Sequence, residues 1–353
     1  MKVLKMFSTI KGEDLYWQYH FIERLRDNYD ANIVSLNDFE EIDSHVGLLS
    51  QLEKVVKSMD LVVYGELSKL SFEKYISKQP DGGLKPTASI LFNLINQMLY
   101  TSMRSKSIGV RDQSRPTLTN KWGLYTVGRA IGLEVPNTFR LDSLSDEEID
   151  FPVRVKPVHG CKGYNNFSLK SKKIDEIVKE IKHKLPEGEF DMGSYLLQEE
   201  YEPLGKTRSI LRFLVCGEEV LHGIIYYTKS NSCNVNGATQ LGSIPITKEY
   251  KPKDRIESEL LKNYESVDIE AIKKQVKKVG QYGMYQGNPV YTVEFVVDGK
   301  TKRVGCIDVN MNFGFTKFGP IYFKSPQEYD EVVLARGIGN DIADSYMRQT
   351  LIK

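Results

Sequence analysis

Apolar and polar positions along this chain fall into blocks that switch between strand and helix periodicity. KVLKMF (2–7) is an apolar run of strand length. WQYHFIERLRDNY (17–29) groups Tyr19, Phe21, Ile22 and Leu25 at helical spacing. ANIVSL (31–36) predicts a second strand, VGLLSQLEKVVKSM (46–59) a second helix, and DLVVYGEL (60–67) a strand ending at Gly65. An apolar helix is expected over ASILFNLINQMLYTSM (88–103) and a further strand over SIGVRD (107–112). Such alternation builds a small layered α/β domain. Its glycines do not spell GxGxxG, so no dinucleotide site is expected there.

The pattern restarts at NKWGLYTVGRAIGLEVPNTFRL (120–141). Leu124, Val127, Ile131 and Leu133 form one helical stripe, Gly132 supplies an end, and Pro136 opens an extended stretch. FPVRVKPV (151–158) and NFSLKS (166–171) read as a hairpin joined by the turn-rich HGCKGYNN (159–166). Residues 171–185 predict a helix with Ser171 as its cap and Ile174, Ile177, Val178 and Ile181 as its buried stripe. A third unit opens with SYLLQEEYEP (194–203). RSILRFLVCGEEVLHGIIYYTK (208–229) gives two strands about a Gly217-Glu218 turn, and IEAIKKQVKKVG (269–280) is a helix with apolar positions at 269, 272, 276 and 279. PVYTVEFVVDGKTKRVGCIDVNMNFGF (289–315) gives two strands joined at Asp298-Gly299, and residues 328–352 are mostly helical. No internal repeat or low-complexity tract appears.

Composition narrows the partners. The 353 residues, 41% of them hydrophobic, allow two or three domains with a sizeable core. A net charge of +1 gives no global field toward nucleic acid or an anionic membrane, so neither is an expected partner. Cys161, Cys216, Cys233 and Cys306 make no CxxC pair, and the five histidines show no zinc-like spacing. They read as reduced, mostly buried thiols. The start lacks a long apolar run followed by a cleavage-like site, and no stretch reaches the roughly 18 apolar residues of a spanning helix. A cytoplasmic protein is expected.

Three places carry candidate chemistry. Lys156 lies inside an apolar strand, just before Pro157 and a glycine-containing loop. Burial without a partner there is costly, and a phosphate would supply the partner. Gly160 and Gly163 would let backbone amides approach its oxygens. The plain alternative is an edge-strand lysine reaching water. Glu294 and Asp308 lie on opposite arms of the last hairpin, with Asn310 two residues beyond Asp308 and on the same face. These three oxygen donors suit Mg²⁺ shared with nucleotide phosphates, while Val293, Phe295, Ile307 and Val309 would point into the core. A solvated acidic face is the alternative. In QEEYEP, Gln198 to Glu202 follow the apolar Tyr195-Leu196-Leu197 strand and would link two subdomains. Backbone groups there can bond adenine and a carboxylate can take the ribose hydroxyls; a charged surface turn is the alternative.

Taken in order, these segments resemble the ATP-grasp superfamily, nearest to its RimK-like and glutathione-synthetase-like carboxylate-amine ligases. NKW…IGLEVPNTF resembles the entry into the grasp fold, and FPVRVKPVHGCKG its first phosphate-binding strand and loop. LLQEEYEP resembles the adenine hinge, and RSILRFLVCGEEV the strand pair bearing an arginine near the phosphates. YTVEFVVDGKTKRVGCIDVNMNFG resembles the metal-binding hairpin. The resemblance implies an α/β (α+β grasp) fold: an N-terminal α/β domain over 1–115 that helps shape the acceptor pocket, then a two-subdomain ATP-grasp fold with a small subdomain over 116–197 and a C-terminal one over 198–353. It implies that Lys121 and Lys156 touch ATP phosphates with Gly160 and Gly163 beside them, and that Gln198, Glu199, Glu200 and Glu202 lie at the hinge and ribose. Arg212 would stabilise the transferred phosphoryl group, and Glu294, Asp308 and Asn310 would hold one or two Mg²⁺ ions, with Mn²⁺ able to substitute. Lys229 and Asn236 fall where the family adds another basic group, read with Arg212 as catalytic, and an amide. Three features depart from the family: Asp308 replaces the usual Glu, NMNFGF replaces a proline-glycine ending, and KSNSCNVNGATQLGS replaces an arginine-rich loop.

The activity so implied is ATP-dependent ligation of a small carboxylate or peptide to an amine through an acylphosphate, releasing ADP and phosphate. It requires no serine or cysteine nucleophile, so Cys161 near the phosphate loop is read as packing or loop chemistry rather than as a covalent catalyst. A small-molecule kinase and a nucleotide-binding regulatory or structural protein are the alternatives; Lys156, Arg212 and the three metal-ligand candidates argue against the last. His20 with Tyr16, Trp17 and Tyr19 could line a pocket, but an ordinary packed amphipathic helix explains them more simply. RSILR and KKQVKK could face an anionic partner, but solvated faces explain them more simply. The oligomeric state is open, a homo-oligomer included.

Overall fold

A computed structural model describes residues 1–7, 10–35, 45–65, 67–68, 71, 107–108, 118–144, 149, 152–158, 167–169, 173–184, 191–228, 241–247, 249–311, 313 and 315–351. Its first sheet is parallel and uses β1 (Lys2–Lys5), β2 (Asn32–Ser35), β3 (Leu61–Val63) and β4 (Ser107–Ile108) in the order β2-β1-β3-β4. Val3, Leu4 and all of β3 are buried, as strands covered on both faces require. Helix α1 (Trp17–Tyr29) connects β1 to β2, and α2 (His45–Lys57) connects β2 to β3. The helix expected over 88–103 lies outside the described residues.

The second sheet is antiparallel. After α3 (Lys121–Ala130) come β5 (Thr138–Arg140), β6 (Val153–Pro157), β7 (Phe167–Leu169), α4 (Ile174–Lys184) and β8 (Tyr195–Glu199), with strand order β5-β8-β6-β7. The Asn120 side chain accepts from the Trp122 and Gly123 amides to start α3, and Gly132 at φ 79° turns the chain away after it. Ile177 and Ile181 of α4 pack on Val153, Val155 and Leu197. The expected β6–β7 hairpin forms; its connecting loop and Ser171 are not among the described residues.

The third sheet runs β11-β10-β9-β12-β13, all antiparallel. Its strands are β9 (Ser209–Cys216), β10 (Glu219–Thr228), β11 (Leu241–Pro245), β12 (Val290–Val297) and β13 (Val304–Asn310). Helices α5 (Arg255–Tyr264) and α6 (Ile269–Gln286) lie between β11 and β12. A 3-10 turn (Thr316–Phe318), α7 (Gly319–Tyr322) and α8 (Glu331–Leu351) close the chain. Strand β11 and helix α5 have no counterpart in the sequence reading. The β9–β10 turn sits at Gly217 with φ 53°, as expected. The β12–β13 connection is longer than the two-residue turn expected at Asp298-Gly299, because Val297 pairs with Val304. Asp298 organises it, its carboxylate accepting from the Lys300 and Thr301 amides and the Thr301 hydroxyl.

This sheet has two different faces. Leu211, Phe213, Val215, Val293 and Phe295 form one core with Ile272, Val276 and Val279 of α6. Ile210, Leu214, Cys216 and Val290 face the other way and share a core with α8, α1 and the first sheet. The C-terminal helix therefore ties the third sheet to the N-terminal unit. Arg24 of α1 donates twice to Asp344 of α8 at 2.9 Å, and Tyr29 donates to the same carboxylate. Trp17 is buried and stacks on Phe313 with centroids 5.5 Å apart, and His20 Nε2 is 2.8 Å from the Asp14 carbonyl. The start of α1 is a packed helix surface.

Candidate functional site

Strand register assembles a polar row on an otherwise apolar sheet face. Arg212 pairs with Glu294, and Glu294 pairs with Asp308. Cross-strand partners point the same way, so β9, β12 and β13 present these three side by side. Arg212 Nε donates to Glu294 Oε1 at 2.8 Å, and its Nη2 donates to the same oxygen. Asn310 Nδ2 donates to Asp308 Oδ2 at 2.9 Å. Thr292 pairs with Asn310 and is fully buried, and its hydroxyl has no hydrogen-bond partner among the described residues. Glu294 is 2% exposed. Burial raises its carboxyl above the ordinary range against the pull of Arg212, and Asp308 adds to the rise. Burial works against the Arg212 charge too, but Glu294 outweighs it and keeps the guanidinium charged.

A bulge sets this row. Glu294 pairs with Asp308, yet Phe295 pairs with Cys306, leaving Ile307 as the extra residue. Ile307 therefore leaves the core beside Val293, Phe295 and Val309 expected from strict alternation, and Cys306 takes that inward position. The extra residue is what allows Cys306 and Asp308 to face opposite sides of the sheet.

Lys156 approaches from the second sheet. It is 7% exposed, and its Nζ donates to Gln198 Oε1 at 2.6 Å. Gln198 Nε2 in turn donates to the Thr138 hydroxyl at 3.0 Å. Burial, then Arg154 and Lys121, pull the Lys156 amine down to about 7, while Asp308 and Glu294 act in the opposite sense. Lys156 and Lys121 thus share one field with the carboxylates of the third sheet.

The hinge candidates separate. Gln198 and Glu199 belong to β8, which runs further than the apolar pattern indicates, and the Gln198 side chain is engaged with Lys156. Glu199 is a brace: Oε2 accepts from the Asn137 amide and side chain, and Oε1 accepts from Arg303 Nη1 at 3.0 Å. Glu200 Oε1 accepts from Arg154, Arg208 and Ser168. The Glu202 carboxylate is exposed, while its backbone joins the β12–β13 loop through Asp298 and Gly299. Gly160, Gly163, Cys161, Lys229 and Asn236 lie outside the described residues.

Two contributors were absent from the sequence reading. The Tyr226 ring of β10 lies 5.4 Å from the Arg212 guanidinium and 4.4 Å from Lys317 Nζ of the 3-10 turn. Lys317 follows the last hairpin in a segment with no strand or helix periodicity, so only tertiary contact reveals it. Among the described residues no three His, Cys, Asp or Glu side chains converge as a metal cluster. The available donors are the Glu294 and Asp308 carboxylates and the Asn310 amide, hard oxygen ligands whose chemistry fits Mg²⁺ with its remaining positions on phosphate and water.

No family model and no curated protein matches the chain. Solved structures do. The ATP-grasp ligase PsnB complexed with a minimal precursor matches at 13% identity and a TM-score of 0.54, covering 99% of this chain and 98% of that one. D-alanine–D-alanine ligase from Bacillus anthracis complexed with ATP matches at 15% identity and a TM-score of 0.49, covering 99% and 97%. Macrocyclase MdnC from Microcystis aeruginosa MRC, bound with precursor peptide MdnA, matches at 13% and 0.47, covering 99% and 100%. The PsnB likeness shows the fold: a mixed α/β chain of ATP-grasp type. No helix among the described residues is long and apolar enough to cross a membrane.

Proposed function

We propose that this chain is an ATP-dependent carboxylate-amine ligase that works through an acylphosphate. The observation that carries the reading is the opposition of Lys156, on the second sheet, to the Arg212–Glu294–Asp308 row on the third, inside a fold of ATP-grasp type. Residues 1–115 are read as the pre-grasp domain, 116–197 as the small subdomain and 198–353 as the subdomain with the metal-binding hairpin.

ATP is read as the co-substrate, its phosphates between Lys121 and Lys156 on one side and the acidic row on the other. Glu294, Asp308 and Asn310 would hold Mg²⁺, which supplies charge screening for the phosphate oxygens when bound. Arg212, kept charged by Glu294, faces the group in transfer. A substrate carboxylate oxygen attacks the γ-phosphorus, the bond to the β,γ-bridging oxygen breaks, and ADP leaves with the electron pair. An amine nitrogen then attacks the acyl carbon, phosphate leaves, and the nitrogen gives its proton to solvent. Buried Lys156 and Gln198 exclude water from the phosphate end. Of the three hinge glutamates, Glu202 is assigned to the ribose, because Glu199 and Glu200 are engaged by arginines.

PsnB, which shares the fold, is complexed with a precursor, so peptides bearing carboxylate side chains belong in the substrate pool. The test is turnover with ATP, Mg²⁺ and pooled carboxylates and amines, reading ADP, phosphate and product mass together. ADP release that needs both pools, with a new mass equal to their sum less water, supports ligation. A product gaining the mass of a phosphoryl group without any amine replaces this reading with a kinase.

A further inference from the structure

The charges of the site lie along one axis. Strand order sets Tyr226 on β10, Arg212 on β9, Glu294 on β12 and Asp308 on β13; Lys317 Nζ lies over the Tyr226 ring at the β10 side, and on the β13 side the Cys306 amide donates to the carbonyl of Glu134, in the chain leading into β5. Lys317 therefore stands at the β10 end of the row, and the second sheet, where Gln198 joins Lys156 to Thr138 of β5, meets the row from the β13 end. The two cations nearest the far end are not equivalent. Arg212 is engaged by Glu294 through two donated hydrogen bonds. Lys317 is half-buried and lies over the Tyr226 ring at 4.4 Å, and among the described residues no carboxylate comes within ion-pair distance of it. A partly desolvated ammonium beside a guanidinium and without an ion-pair partner among the described residues is a site for an anion.

Its position is fixed from behind. Phe318 next to it is fully buried, and Phe315 is buried in the same core. The following helix α7 is clasped by Tyr322 to His222 and Asp341. The ammonium is thus held on a turn packed into the core, at the β10 end of the row.

We propose that Lys317 holds the carboxylate of the substrate that receives the phosphoryl group, which rests on the ligase reading above. Lys156 then marks the nucleotide end and Lys317 the acceptor end, with Arg212 between them at the point of transfer. The shared chemistry is an oxyanion, and its two sources are an acceptor carboxylate and the γ-phosphate.

Lysine footprinting of the full chain separates them, using acetylation by an N-hydroxysuccinimide ester read peptide by peptide in a mass spectrometer. The probes are acetate, L-glutamate, a glutamate-containing tetrapeptide and Mg²⁺–AMPPNP. At least one carboxylate should slow Lys317 labelling saturably by about fivefold, while Mg²⁺–AMPPNP alone leaves it unchanged. Slowing by Mg²⁺–AMPPNP alone, or by none of the carboxylates, overturns the assignment. Calorimetric binding of Mg²⁺–AMPPNP is scored separately: its absence sinks the nucleotide reading, and the carboxylate arm still decides Lys317. In turnover, Lys317→Gln should raise the carboxylate KM by about tenfold with the ATP KM unchanged, and Lys317→Arg should recover most of it. An equal rise in both KM values counts against the proposal.

Discussion

Arg212 and Glu294 face each other across adjacent strands, joined by an Nε–Oε1 hydrogen bond of 2.8 Å in a setting almost closed to water. The same face carries Ile210 and Leu214, so sheet packing alone would favour two more apolar residues there. Removing one partner strands the other charge. Arg212→Ala should cost about 3–5 kcal/mol in urea unfolding, whereas the double change Arg212→Met with Glu294→Met should cost far less. A double-variant loss equal to the sum of the Arg212→Met and Glu294→Met single losses would mean that the pair is not coupled.

Lys156 gives a pH signature. Its amine is ordinary at 10.5 in the unfolded chain and is drawn down to about 7 by burial in the fold. Between those values the unfolded chain binds a proton that the folded chain lacks, so stability should rise as pH climbs through that window. Lys156→Met should flatten that rise. Anionic phosphate beside Nζ pushes the amine back up, so Mg²⁺–AMPPNP binding at pH 8 should take up close to one proton and at pH 6 almost none. Calorimetry in buffers of different ionisation enthalpy measures the difference, and equal uptake at both values would remove Lys156 from the phosphates.

Asp308 tests the acidic row without testing the fold. It is only half-buried and already accepts from Asn310, a bond that an amide oxygen in place of the carboxylate would keep. Asp308→Asn should leave the unfolding free energy within about 0.5 kcal/mol of the parent. It should raise the Mg²⁺ concentration needed for half-maximal nucleotide binding by about tenfold, roughly 1.4 kcal/mol. An unchanged Mg²⁺ requirement would take Asp308 out of the ligand set.

What the sequence revealed follows from how local each signal is. Helix α1 is bounded at Trp17 and Tyr29 as its apolar spacing indicates, and the Lys156 strand and the last hairpin stand where alternation puts them. The bulge at Ile307 breaks that alternation for one residue, so the identity of the inward side chain changes to Cys306 without any local warning. Helix α5 was invisible because charged positions crowd Leu260 and Tyr264, and its N-cap Asp254 has no apolar run behind it to mark a boundary. Glu199 and Glu200 look alike in QEEYEP, yet their different roles depend on Arg303 and Arg208, which only tertiary structure brings near. Lys317 belongs to the same class: nothing in its neighbours along the chain says that Tyr226 will lie beneath it.

The segment that carries Lys317 is held by a clasp outside the acidic row. His222 Nε2 of β10 lies 2.8 Å from Asp341 Oδ2 of α8 and 2.8 Å from the Tyr322 hydroxyl, and Tyr322 donates to the same Asp341 oxygen at 2.5 Å. Burial works to raise the Asp341 carboxyl, but His222 and Tyr322 hold it below its ordinary 3.8. A depressed carboxylate stabilises the fold above pH 3.8 and loses that contribution as pH falls through its folded value, so the clasp should be intact at neutral pH and released in acid. Tyr322→Phe keeps the ring and removes both hydroxyl contacts, and should cost about 1–3 kcal/mol in unfolding. Gly337→Ala should cost more, since its Cβ would run into the Tyr322 ring. Because α7 begins immediately after the Lys317 turn, Tyr322→Phe should also make Lys317 acetylate faster while leaving calorimetric binding of Mg²⁺–AMPPNP unchanged. A destabilised variant with parent-like Lys317 labelling would confine the clasp to packing and separate it from the acceptor end.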